Sequence, residues 1–418
     1  MLFVANRPAA ALSGWLQRYL RPDDPVARAL TWATISSSLS RAVFFSVSVL
    51  FFTRVAGFTA TTVGVALTVA GAVAVGAALG AGYLARLVGA RSVLMATAAG
   101  QGVALGGYLV VRTPVAFVVV ACVAVSLSSM QRTALATTIA ESFTGSERIE
   151  VRARLRAVTN AFIGVGTGLA AVALAVGTRP AYLTAMAATG VLQVVSVVPL
   201  RRVPRAVVAP SSGPARQVRR SPLRDRTYLV ATGLYAVTTM QFGMLTVGVP
   251  LWISGWTNAP AVTVAVLLTL DAAIVSLLQV WAARGAKTIR AAGRATARGG
   301  VLLAVACGLY AAATERSVVV AVTVLTLATI AHSLAEIQSE AGRWTLAFEL
   351  ADPTNAGAYQ GVSQMGMAVG TMLAPLVVTA TAIEHGRAGW AALAALFLAA
   401  GLSTLWLAKR HSARKTPA

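Results

Sequence analysis

Acidic residues are scarce in this chain: 13 Asp and Glu stand against 35 Lys and Arg in 418 residues, and charged residues of every kind reach only 11%. A soluble surface needs roughly a quarter of its residues charged, so a soluble domain is excluded. Cysteine is nearly absent as well. Cys122 and Cys307 lie far apart, each inside an apolar run, which rules out a disulfide framework or metal-ligand spacing and leaves both as packing residues. No Gly-x-x-x-x-Gly-Lys-[Ser/Thr] loop occurs, since Ala286-Lys287-Thr288 lacks the preceding glycine, and there is no nucleophile elbow or redox pair. The chain is therefore expected not to be an enzyme, and to use no cofactor beyond an ion gradient. The N-terminus lacks the basic, apolar, small order of a cleavable signal and is expected to be retained.

What the chain does have is length in apolar runs, at 57% hydrophobic residues. A hydrocarbon core of about 30 Å takes about 20 apolar residues to cross as helix, and lipid-exposed backbone without strand alternation permits little else. That criterion places helices near 30–52, 60–84, 93–111, 115–140, 157–177 and 181–200, then 228–253, 261–283, 299–314, 317–340, 358–382 and 388–408. The expected fold is an all-α integral membrane protein of twelve transmembrane helices in two six-helix halves.

Between the halves, Arg201 to Arg226 holds eight arginines and four prolines, too charged and too broken for a core. The division is thus a 1–28 cytoplasmic segment, a half at 29–200, a basic cytoplasmic linker at 201–226, a half at 227–408 and a tail at 409–418. Leu12, Trp15, Leu16, Tyr19 and Leu20 share a helical face, which suits either an interfacial helix or a plain basic tail. With those helices, 28 Lys and Arg fall on the side of the termini and linker and 5 on the other. By the positive-inside rule both termini are cytoplasmic, in a cell membrane. Arginines confined to short gaps signal topology rather than nucleic acid, so the expected partners are the bilayer and a small-molecule solute, with the chain a monomer.

Two six-helix halves joined by a basic cytoplasmic loop resemble the major facilitator superfamily. Gly82-Tyr83-Leu84-Ala85-Arg86-Leu87-Val88-Gly89-Ala90-Arg91 is similar to its cytoplasmic signature of Gly, Asp-Arg, Gly and a basic residue, with Arg86 where the signature has Asp and Leu87 where it has Arg. Phe52-Thr53-Arg54-Val55-Ala56-Gly57, Pro250-Leu251-Trp252 and Thr257-Asn258-Ala259-Pro260 resemble bacterial, especially actinobacterial, exporter-type members. So does Glu336 to Gly361, with Trp344, Glu349-Leu350-Ala351-Asp352-Pro353 and Gly357-Ala358-Tyr359-Gln360-Gly361. The resemblance implies two pseudo-symmetric halves rocking about a midplane cavity, and export of a drug-like compound or secondary metabolite in exchange for protons. Helix 5 lacks the proline common in antiporters of the superfamily.

Ionisable residues sunk in the membrane are costly and mark function. Arg41, with Ser37 and Ser40 beside it, is a candidate lining of the solute path, against a buried structural ion pair. Asp271, near the middle of helix 8, can exchange protons unless an arginine clamps it, and Arg41 is its expected partner. His332, Glu336 and Glu340 follow at i, i+4, i+8 on one helical face. They form either a proton relay from His332 to Glu336 or a cytoplasmic gate paired with Arg132, Arg343 or the 148–156 segment. Arg148, Arg152, Arg154 and Arg156 are expected on a solvated cytoplasmic face. Tyr235, Gln241, Gln279 and Gln364 are candidate cavity residues, with Trp252 and Tyr359 beside them, and all equally suit helix packing. Gly82, Gly89, Arg91 and Arg132 are the gating candidates. Gly164 and Gly168 in helix 5, with Gly366, Gly370 and Pro375 in helix 11, are the candidate close-packing positions. Two other functions remain in view: import or facilitated passage of a small, possibly anionic, solute, and a sensor or scaffold that transports nothing.

Overall fold

The computed structural model describes residues 22–204 and 221–414. Among them there is no strand, and twelve long helices run back and forth. The first six are α1 (Pro25–Leu50), α2 (Ala60–Val88), α3 (Ala90–Gly107), α4 (Pro114–Ser142), α5 (Gly145–Val176) and α6 (Arg179–Leu200). The second six are α7 (Arg226–Trp256), α8 (Val262–Arg284), α9 (Ile289–Ala312), α10 (Val318–Glu349), α11 (Ala356–Val378) and α12 (Gly386–Arg414). Ten of the twelve are long and apolar enough to cross a membrane. The other two, α1 with its polar Ser36 to Arg41 stretch and the short α3, belong to the bundle by packing against α5 and α6 and against α4 and α6.

The halves repeat one another. α1 packs on α5, α2 on α4 and α3 on α6; in the second half α7 packs on α11, α8 on α10 and α9 on α12. The same device starts both: the Asp24 carboxylate accepts from the Ala27 N–H at 2.6 Å to cap α1, and Asp225 accepts from Tyr228 at 3.1 Å to cap α7. Lipid tails are as apolar as leucine, so close backbone approach through small residues does much of the packing. Gly102 faces Gly190 across α3 and α6, and Gly300 faces Gly401 across α9 and α12. Distal aromatic clusters, Phe52, Tyr108 and Phe117 in one half and Trp252, Tyr310 and Trp390 in the other, fill the remaining volume.

Contacts between the halves gather at the end where the chain termini lie. α2 meets α11 where Gly82 lies against Gly357 and Gly361, and α5 meets α8 where Ile149 and Ala153 pack on Ala283. Towards the other end, Gly76, Gly71 and Gly64 of α2 and Gly164 and Gly168 of α5 have nothing within 4 Å of where a side chain would begin. The halves converge at one end and part towards the other.

Several expected boundaries move. α5 starts at Gly145 rather than 157, α9 at Ile289 rather than 299, and α10 runs to Glu349 rather than 340. In each case arginines or glutamates lower the apolarity of a stretch that is nevertheless helical, because their side chains find partners or line an outer face. α12 likewise continues into the expected tail, to Arg414. The face from Leu12 to Leu20 and most of the linker lie outside the described residues.

Candidate functional site

At the sealed end, α10 supplies the framework. Its spacing puts His332, Glu336 and Glu340 on one face, and all three are buried. Glu336 Oε1 accepts from Arg156 Nη2 of α5 at 2.7 Å, an ion pair that crosses from one half to the other. Glu340 takes the Arg343 guanidinium in a two-point grip at 3.0 and 2.5 Å on its own helix. Arg343 also lies 3.6 Å over the Trp344 ring and 4.3 Å over Tyr235, while Arg152 of α5 lies 3.8 Å over the same Trp344 ring. Two guanidiniums cannot share one face at those distances, so the indole is sandwiched between a cation from each half. Arg156 rests 5.3 Å from the Phe242 ring of α7, and an exposed pair, Lys287 to Glu150 at 2.9 Å, rims the cluster. The expected solvated face of Arg148 to Arg156 is corrected here: Arg152 and Arg156 turn inward from the lengthened start of α5, because aromatic rings and a buried carboxylate receive them. The sequence signal for it was the four-residue step between them.

This cluster latches one half to the other at the end where they converge. An ion pair removed from water gains little over a hydrophobic contact, but taking one partner away leaves the other uncompensated. An interaction of that kind suits a contact that must form and break.

Deeper in the bundle, Arg41 lies roughly 24 Å along α1, half-buried, with Ser37 and exposed Phe45 on the same face. It makes no ion pair or hydrogen bond among the described residues. The charged groups acting on it are Arg156 and Arg132, both cations. Among the described residues, Arg132 itself donates only to Ser128 of its own helix, at 3.2 Å. The expected Arg41–Asp271 pair does not form. Asp271 instead accepts from Ser333 Oγ of α10 at 2.7 Å, within its own half and next to His332. His332 is fully buried, and neither ring nitrogen has a partner among the described residues. Asp271, His332 and Glu336 therefore share one α8–α10 seam, a grouping that residue spacing alone did not give because Asp271 comes from another helix.

The other candidates divide. Tyr235, Gln241, Gln279 and Gln364 are buried, and each keeps a polar atom without a partner among the described residues. Such atoms are the unused hydrogen-bonding capacity of the interior. Ser40 does not line a path: its hydroxyl donates to the Thr189 carbonyl at 2.7 Å and ties α1 to α6. Ser37 donates to Thr34 on its own helix at 3.2 Å. In the signature-like run, a side chain at Gly82 would collide with the Gly357 carbonyl, so that glycine permits the α2–α11 crossing. Gly89 takes φ +84° and turns the chain into α3. Arg91 donates to the Leu200 and Arg201 carbonyls at 3.2 and 2.6 Å, fastening the start of α3 to the end of α6. Gly164 and Gly168 are corrected as packing positions, since both face open space; the close approach of α5 is at Gly166, against Leu39 and Ala42 of α1. Gly366 and Gly370 do pack tightly, against Thr232 and Ala236 of α7, just before Pro375 inside α11.

Two repeated six-helix bundles that meet at one end are the architecture of a membrane transporter of the alternating-access class. The sequence profile of the Major Facilitator Superfamily matches residues 30–375, and the chain belongs to that family. No curated protein matches it significantly in sequence. Among solved structures it is similar to the human organic anion transporter MFSD10 (TETRAN), at 14% identity over 92% of this chain and 99% of that one, with a TM-score of 0.70. It is also similar to a bacterial homologue of the iron transporter ferroportin in an outward-facing state, at 16% identity over 93% and 100%, TM-score 0.70. A third is the proton:xylose symporter XylE bound to 6-bromo-6-deoxy-D-glucose, at 12% identity over 92% and 95%, TM-score 0.66. At these identities the likeness is one of fold. The chain is a secondary transporter of a small molecule, not an enzyme.

Proposed function

We propose that the chain exports a small organic solute carrying an anionic group in exchange for protons, with both termini in the cytoplasm of a cell-membrane protein. The observation that carries this reading is the pair Arg41 and Arg132, sunk in the bundle with no carboxylate on either among the described residues, while Glu336 and Glu340 are taken by Arg156 and Arg343. Cations held there without a counter-charge are costly, and a solute anion removes that cost. Unpaired groups on Tyr235, Gln241 and Gln364 add hydrogen bonds for a polar scaffold. The sidedness rests on the arginine asymmetry, which makes the latched end cytoplasmic and the described state outward-facing.

Protons enter the scheme at Asp271, His332 and Glu336. A proton on Glu336 cancels its attraction for Arg156, and the latch then opens towards the cytoplasm. The likeness of 52–57 and 336–361 to exporter-type sequences supports the outward direction.

The test is transport in proteoliposomes under an imposed proton gradient, with aromatic carboxylates beside their neutral amides. The carboxylates should move against their gradient, and Arg41→Gln or Arg132→Gln should lower their kcat/KM about 10-fold or more. Equal handling of the amides contradicts the anionic cargo, and movement indifferent to an uncoupler contradicts proton exchange. Binding without movement supports a sensor.

A further inference from the structure

Ile289–Ala312 carries a pattern that the transport reading does not use. Arg290, Arg294 and Arg298 follow at four-residue steps, all exposed, on the first half of a membrane-spanning helix. No described ion pair includes any of them. The same face continues as Val301 and Val305, 47% and 48% exposed, so it changes from cationic to apolar along the helix. Arg294 and Arg298 open onto a groove of about 490 Å³ whose other walls are Val301 and Leu302 of α9, Gln338 of α10 and Leu405 of α12. One bank of the groove is set by the tight α9–α12 packing at Gly293 against Ala408 and at Gly300 against Gly401. Beside it on α12, exposed Trp406 carries the Arg410 guanidinium 4.1 Å over its ring, an aromatic and basic pair of the kind that sits at headgroup level.

Cations at one end and an apolar trough leading from them match a molecule with an anionic head and a hydrocarbon tail. Arg298 lies roughly 14 Å along α9, too deep for easy hydration on a lipid-facing surface unless it reaches back to a phosphate. We propose that the α9–α10–α12 groove binds one anionic phospholipid from the leaflet at the latched end. Its phosphate lies on Arg294 and Arg298, with Arg290 at the outer edge, and one acyl chain runs along Val301, Leu302 and Leu405. The lipid then covers a groove that borders α10, the helix bearing Glu336 and Glu340, without touching the solute path.

Native mass spectrometry of the full chain in detergent micelles doped with phosphatidylglycerol or phosphatidylcholine tests this. Phosphatidylglycerol should be retained in preference to phosphatidylcholine, and R294Q/R298Q should weaken its binding roughly 30-fold, about 5-fold for each charge near the surface. The charge-keeping R294K/R298K variant should hold most of the binding, and Arg179→Gln at the opposite end should leave it unchanged. Unaltered phosphatidylcholine adducts in every variant show that the fold is intact. Phosphatidylglycerol retained in full by R294Q/R298Q overturns the site. So does displacement of the lipid by an equal concentration of glycerol phosphate, since that assigns the arginines to a soluble phosphate.

Discussion

Arg156 and Glu336 show what a single contact can do at the meeting of two rigid halves. The pair is partly open on the arginine side, at 26% against 3% for the glutamate, so its worth is below that of a sealed pair. A double-mutant cycle of Arg156→Gln and Glu336→Gln should give a coupling of about 1–3 kcal/mol, measured by thermal unfolding in detergent. A value near zero means that the two residues only happen to be adjacent. Glu336 was legible as a deep acid facing basic residues, but its partner among several arginines was not. Arg41 and Asp271 show why: sequence fixes how far along a helix a residue lies, while its direction around the axis depends on which neighbours the helix packs against. Asp271 turns to Ser333 in its own half, and Arg41 is left without an ion pair or hydrogen bond among the described residues.

At the scale of the helix, the glycines of α5 separate pattern from packing. Gly164 and Gly168 have the four-residue spacing of a close contact, yet Gly166 makes it. A repeat of small residues names a helix able to approach a neighbour, and only the neighbour decides the face. Gly166→Ala, whose methyl would lie 2.6 Å from the Ala42 Cβ, should cost about 1–3 kcal/mol in thermal unfolding. Gly164→Ala should stay within about 0.5 kcal/mol of the parent or stabilise it. Reversal of that order contradicts the assigned α1–α5 interface. Helix number and order were legible because apolar runs of spanning length are hard to hide. The starts of α5 and α9 were not, because Arg152, Arg156, Arg294 and Arg298 look like loop charges until their partners or their outer face are known. Gly82→Leu belongs at this scale too. It should wedge α2 from α11 at the latched end and abolish transport while leaving the melting temperature of each half little changed, and full transport by that variant argues against closure there.

For the whole molecule, the twofold repetition of α1–α5, α3–α6 and α2–α4 pairings in the second half gives two bodies that meet along the α2–α11 and α5–α8 seams and can tilt about them. Each body keeps its own aromatic core, so rocking need not disturb either. The contacts that must change are the polar ones of Arg156 with Glu336, Arg152 with Trp344 and Lys287 with Glu150, together with the apolar packing of Ile149 and Ala153 on Ala283 and of Gly82 on Gly357. The most direct measurement is a pair of spin-label distances by pulsed electron resonance, one between positions 150 and 287 at the latched end and one between 179 and 387 at the other. Acidification, or Glu336→Gln at neutral pH, should lengthen the first and shorten the second together. Two distances that stay fixed under both treatments, or that change in the same direction, would contradict alternation driven by this latch.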